Sequence, residues 1–239
     1  MSTYLICFLI LTLAAFAQTV SGFGFALAAV PLLSLVIDPV TAVVTATLGS
    51  VLLCLITAVA DRAHIDWRSS WTLTLTSVLG MPFGLLCLTL LPASVLRAVI
   101  AVVVVACLFL VWRRWQLRPG IWRVGVAGAV SGVLQTATGT NGPPLVAALQ
   151  ALGLDPRQFR ATLAATFCVG GAFAITGFAV SGVVTREAVL LSALSLVATG
   201  IGGLAGHRVF LRIDPARFRH VVLVALAGCA AAAILNATF

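Results

Sequence analysis

Two clusters of neutral polar residues carry the chemistry open to this chain. Gln18, Thr19 and Ser21 stand beside Gly22 and Gly24, while Gln135, Thr136, Thr138, Thr140 and Asn141 surround Gly139, Gly142 and Pro143. Glycine weakens a helix and proline ends one from its N-terminal side, so each cluster marks a break between two helical pieces. A helix starting at such a break points free N–H groups and the positive end of its dipole into the gap. That arrangement contributes up to about 2 kcal/mol to a partly buried anion. Asn141 or Gly142 suits the cap, Pro143 suits the first helical position, and Gly139 and Gly142 let a ligand approach the backbone. The expected chemistry is loose, reversible anion binding by amides and hydroxyls, without a permanent cation.

Other chemistries lack their residues. The six acids, Asp38, Asp61, Asp66, Asp155, Glu187 and Asp214, fall outside the apolar runs, which argues against a buried carboxylate relay for cations. Ser131 and Ser192 have no His and carboxylate partners in a recognised motif, and His64 and His207 fall near loops without metal spacing. No metal or cofactor is expected, and the chain does not read as an enzyme. Cys7, Cys54, Cys87, Cys107, Cys168 and Cys229 lie singly inside apolar runs as packing residues. Phe23 and Phe25 read as packing residues too, and Trp67, Trp71, Trp112, Trp115 and Trp122 as membrane-interface markers.

The elements that must position the two clusters are membrane helices. Of 239 residues, 62% are hydrophobic and only 8% charged, whereas about a quarter of an average soluble chain is charged. Uncharged runs follow one another with short breaks, so the chain is expected to be an all-α integral membrane protein with the lipid bilayer as its solvent. No room remains for a soluble catalytic domain. All 14 basic residues are arginines, giving a net charge of +8. They cluster briefly between the apolar runs, the pattern of cytoplasmic loops, and no nucleic acid partner is expected. Ala15-Phe16-Ala17 resembles a signal-peptide cleavage site, but Met1 to Leu5 lacks a basic residue. The stretch that follows also recurs later, so the N-terminal run reads as a first helix.

That recurrence is a duplication. QTVSGFGFALAAVPLLSLVIDP from Gln18 aligns without a gap over QTATGTNGPPLVAALQALGLDP from Gln135, a constant offset of 117. Asp38-Pro39 meets Asp155-Pro156, each placed to cap the following helix. At a slightly larger offset, Gly80 to Gly84 and Pro92 to Arg97 answer Gly200 to Gly206 and Pro215 to His220. A single transmembrane domain over 1–239 is expected, with internal repeats 1–112 and 121–239 joined by an Arg-rich cytoplasmic loop, 113–120. Each repeat reads as a broken segment and three helices. These are 4–37 followed by helices near 40–60, 70–91 and 94–112, then 121–154 followed by helices near 158–180, 188–206 and 218–237.

Arginine counting constrains the threading. If each broken segment crosses once, seven arginines fall inside and seven outside. If each returns to its starting side, twelve fall inside and only Arg97 and Arg186 outside, as the positive-inside rule requires. Re-entrant hairpins and pairs of full crossings share this parity, and both invert one repeat relative to the other in the membrane.

The segments SGFGFALAAVPLL from Ser21 and SGVLQTATGTNGPPLVAAL from Ser131 resemble the duplicated Gly-rich motif of the TauE/SafE family of sulfite exporters. The resemblance extends over essentially the whole chain, departing from the family pattern at Phe25, Ala26 and Asn141. It implies a multi-pass permease of the bacterial inner (plasma) membrane for a small anion such as sulfite, thiosulfate or an organosulfonate. It places the site around Gln18, Ser21, Gly22 and Gly24, with Gln135, Thr138, Gly139, Asn141, Gly142 and Pro143. Thr19 and Thr136 join these from their position in the clusters. Transport is expected by rocking one repeat against the other. The alternative is a non-transporting membrane subunit serving assembly or signalling, and a homo-oligomer is left open.

Overall fold

The computed structural model describes residues 2–21, 24–113 and 121–210, together with the single positions 228 and 231. Met1, Gly22, Phe23, loop positions 114–120 and, apart from 228 and 231, positions 211–239 with the helix expected near 218–237 lie outside the described residues. Those described are helical throughout, with short connections. In lipid, every backbone N–H and C=O must be satisfied within the protein, and apolar helices do this residue by residue. The first half comprises α1 (Ser2–Ser21), α2 (Phe25–Leu33), α3 (Pro39–Ala60), α4 (Trp67–Leu90) and α5 (Ala93–Trp112). The second comprises α6 (Ile121–Thr138), α7 (Gly142–Gln150), α8 (Pro156–Val180) and α9 (Arg186–Phe210). Five of these, α3, α4, α5, α8 and α9, are long and apolar enough to cross a membrane.

The starts of α3, α4 and α8 are fixed by acids. Asp38 accepts from Val40 N and Thr41 N at 2.9 and 3.3 Å, with Pro39 following it. Asp155 accepts from Arg157 N and Gln158 N, both at 2.9 Å. These are the duplicated caps expected from the Asp-Pro pairs. Asp66 does the same for α4, accepting from Arg68 N and Ser69 N.

Helix directions follow from the contacts between helices. An ion pair of 3.3 Å between Arg157 Nε and Asp61 Oδ1 joins the start of α8 to the end of α3, so these two run antiparallel. Helices α4 and α6 run in the same direction, with Ser77 Oγ donating to Gly128 O at 3.0 Å and Thr136 Oγ1 to Met81 O at 2.8 Å. Helices α1 and α9 are also parallel, Gly202 lying against Thr12 and Gly206 against Phe16 and Thr19. Helix α9 in turn parallels α3, where Ser195 faces Gly49 and Gly203 faces Leu53. Each half thus lends a helix to the other: α4 packs on α6, and α9 packs on α1.

These directions describe the course of the broken segments within the bundle. Helices α1 and α3 both parallel α9, so the chain between them returns to its starting face. The return arms α2 and α7 have nine residues each, about 13 Å at 1.5 Å per residue, against a hydrocarbon core of about 30 Å. Each broken segment is therefore a hairpin with one long arm and one short arm. Both short arms are almost wholly buried, whereas α4, α5 and α9 expose Leu79, Phe83, Val102 and Leu204 on their outer sides. One face of the bundle gathers Arg62, Arg68, Arg113, Arg123, Arg157, Arg160 and Arg208, and the opposite face has Arg97 and Arg186. Trp67, Trp71, Trp112 and Trp122 are exposed at the Arg-rich face.

The closest helix contact is that of α4 with α6, where glycine is needed for space. A Cβ at Gly132 would run into the Ser77 carbonyl, one at Gly80 into the Ala129 carbonyl, and one at Gly128 into the Thr76 hydroxyl. In lipid, where burial against another apolar surface supplies little driving force, such small-residue contacts hold helices together. Gly132→Ala is expected to destabilise by about 1–3 kcal/mol through overpacking. Gly125→Ala, whose Cβ would meet only Thr76 Cγ2 at 3.8 Å, supplies the same gain in helix propensity without the clash. Thermal unfolding of the detergent-solubilised variants measures the difference, and equal midpoints would sink this account of the α4–α6 contact.

Candidate functional site

Each hairpin breaks at a glycine in the left-handed region. Gly24, with φ 104°, leads into α2, and Gly139, with φ 70°, ends α6 while its N–H donates to Gln135 O at 3.0 Å. Side chains other than glycine adopt this conformation at a cost, which explains the residue type at both positions. Gly139 also has little space, since a Cβ there would lie 3.2 Å from Val30 Cγ2 and 3.4 Å from Ala26 Cβ. The second break thus packs directly on the return arm of the first hairpin.

The two breaks meet around one cavity. It is lined by Gln18, Gly24 and the first turn of α2 from one hairpin, by Gly139, Thr140, Asn141 and Gly142 from the other, and by Ser50 of α3 and Phe167 of α8. Its donor sets are unequal. At the start of α2 the N–H groups of Phe25, Ala26 and Leu27 have no carbonyl within the helix to reach, the first such bond being Ala28 N to Gly24 O at 3.1 Å. At the start of α7, Pro143 and Pro144 have no N–H, which leaves Gly142 alone among the first three residues. Pro143 is buried one position later than the expected first helical position. Asn141 occupies the cap position, yet its side chain makes no capping hydrogen bond. Its backbone carbonyl is held instead by Ser131 Oγ at 2.9 Å.

The side chains expected at the site divide into those that line it and those that support it. Gln18 lines the cavity, 5% exposed, with Nε2 3.0 Å from Cys54 Sγ and Oε1 accepting from Ser50 Oγ at 3.4 Å. Thr138 is fully buried behind the break, its hydroxyl 2.6 Å from that of Thr140 and bonded to Leu134 O at 2.9 Å. Thr136 is turned to α4, where it bonds Met81 O. Gln135 is 4% exposed and its amide lies against Gly170 and Gly171 of α8. Ser21 closes α1, and Gly22 lies outside the described residues.

Three contributors were not apparent from the clusters. Ser50 and Phe167 occupy the cavity wall from the middles of α3 and α8, and they stand at the same offset, 117, as the two glutamines. That shared register was the signal available. The third stands beside this cavity rather than in it. Arg160, within the second turn of α8, lines a second cavity with Gln18, Thr19, Cys54 and Thr57. Among the described residues, no group of three or more His, Cys, Asp or Glu gathers as a metal site would require.

The model of one protein family, described as sulfite exporter TauE/SafE, matches residues 7–233 of the chain. No curated protein and no solved structure matches it.

The crowding at the second break yields a direct test. Gly139→Ala and Gly153→Ala both place a side chain at positive φ, 70° and 66°, but Gly153 has open space around it. The conformational cost, about 1–2 kcal/mol, is common to both. Gly139→Ala is expected to lower the unfolding midpoint further, because Val30 and Ala26 must give way. Equal midpoints in detergent would show that the two breaks are not packed on each other.

Proposed function

Because the chain belongs to the TauE/SafE sulfite exporter family, we propose that it carries a small sulfur-containing anion across the membrane. The substrate in this reading is sulfite, thiosulfate or an organosulfonate, moved by alternating access around the paired breaks. The family consists of sulfur-anion permeases rather than enzymes, and the long apolar helices make this chain a multi-pass membrane protein. The observation that carries the finer reading is the convergence of both hairpin breaks, with the amide-rich start of α2, on one cavity. An anion there meets backbone N–H groups and the positive end of a helix dipole without an ionic partner in the same cavity. Such binding is weak enough to be reversed on the other side.

Alternating access asks for two halves of opposite orientation around one central site. The antiparallel course of α3 and α8, which are counterparts in the two repeats, supports an inverted arrangement. The crowding of described arginines on one face supports the orientation of that face toward the cytoplasm of a bacterial inner membrane. Gln18, Gly24, Gly139, Asn141 and Gly142 line the site in this reading, with Thr138 behind them as a positioning residue.

Uptake of labelled sulfite, thiosulfate, sulfate and a short organosulfonate into proteoliposomes tests the proposal. Saturable uptake of a sulfur anion is expected, reduced at least tenfold by Asn141→Leu together with Thr138→Val in protein that still elutes as a folded species. Absence of uptake of all four by folded wild-type protein would refute the assignment. Unchanged uptake by the double variant would remove the second break from the site.

A further inference from the structure

The two repeats surround their breaks with equivalent positions, and these positions differ in polarity. On the Arg-rich side of Gln18 the cavity wall includes Cys54, Thr57 and Arg160. At the offset of 117, their counterparts beside Gln135 are Gly171, Ala174 and Val43. Val43 and Ala174 are 0% and 1% exposed, and Val51 fills the space where a Gly171 side chain would stand. The Gln18 side therefore carries a cation where the Gln135 side carries a buried valine. Gln18 lines both the polar cavity and the cavity between the breaks, so it stands at their junction.

We propose that Arg160 is a selectivity and positioning residue, drawing a small oxyanion into the Arg-rich mouth and handing it to Gln18 and the start of α2. The inference rests on the transport reading above and adds a named cation to it. Three features support it. Arg160 lies within the second turn of α8, so its long side chain reaches the mouth while its backbone stays in the helix. Its guanidinium offers a planar set of donors that matches two oxygens of a sulfite, thiosulfate or sulfonate group. The duplicated position is an aliphatic residue, so a cation here is not required by the packing that the two halves share.

The test uses the full-length protein in detergent, with calorimetric titration of sodium sulfite, sodium thiosulfate and, as oxyanions without sulfur, nitrite and phosphate, at low and high ionic strength. Arg160→Gln is expected to weaken binding at least tenfold and to flatten its salt dependence, whereas Arg160→Lys stays within about threefold of wild type because the charge remains. In proteoliposomes the Gln variant should raise KM with little change in maximal rate, a split that a merely structural role would not produce. Should Arg160→Gln fail to fold, Thr57→Glu places a carboxylate in the same cavity, and it should lose affinity relative to Thr57→Gln. Equal affinity and equal salt dependence in either comparison would overturn the role of Arg160. Wild-type binding of nitrite or phosphate but not of the sulfur anions, lost in Arg160→Gln, would refute the substrate class and leave Arg160 standing. Folded wild-type protein that binds none of the four would overturn both.

Discussion

A backbone amide without a partner is costly in hydrocarbon, and the architecture is organised around that cost. Helix breaks at membrane depth are tolerated only where protein or water surrounds them. Here the two breaks are placed against each other, with Gly139 on Ala26 and Val30, and are enclosed by Ser50 of α3 and Phe167 of α8. The short arms α2 and α7 are consequently the most deeply buried elements, apolar on all sides as a fully enclosed helix must be. The amides at the breaks that have no carbonyl within their own helix are the groups that the proposed anion would meet.

Enclosure of the breaks depends in turn on how closely the long helices approach. Glycines on α4 and α6 bring those backbones together, and glycines on α9 do the same against α1. Hydroxyls reinforce the contacts across the repeats, as Ser77 does to Gly128 O and as Thr162 does in accepting from Asp66 N at 2.9 Å. Such bonds contribute on the order of 1 kcal/mol each within a membrane. The inequality of the two helix starts comes from composition alone, since Pro143 and Pro144 remove two donors that Ala26 and Leu27 retain.

Much of this was legible in the residues because duplication wrote it twice. The constant offset from Gln18 and Gln135 to Asp38 and Asp155 located both breaks and both caps, and the arginine distribution gave the parity of the threading. Parity could not separate a hairpin from two full crossings, because that difference lies in the length of α2 and α7 rather than in where their ends fall. Of the residues in the clusters, Gln18, Gly139 and Asn141 line one cavity. Thr136, from the same cluster, bonds Met81 O of α4. Ser50 and Phe167 at this cavity, and Arg160 at the neighbouring one, escaped because they come from helices that carry no break, and a linear cluster does not show what a neighbouring helix brings.

The exchange of helices between repeats also governs how the chain is made. Helix α4 finds α6 within about 50 residues of chain, but α1 must wait for α9, which begins at Arg186. At roughly 5–20 residues per second, synthesis of the intervening chain takes on the order of 10–40 seconds. During that interval the side of α1 destined for Gly202 and Gly206 faces lipid, and the first break has yet to receive its enclosing wall. Biogenesis therefore closes the bundle from its middle outward, and its N-terminal helix is among the last to be seated.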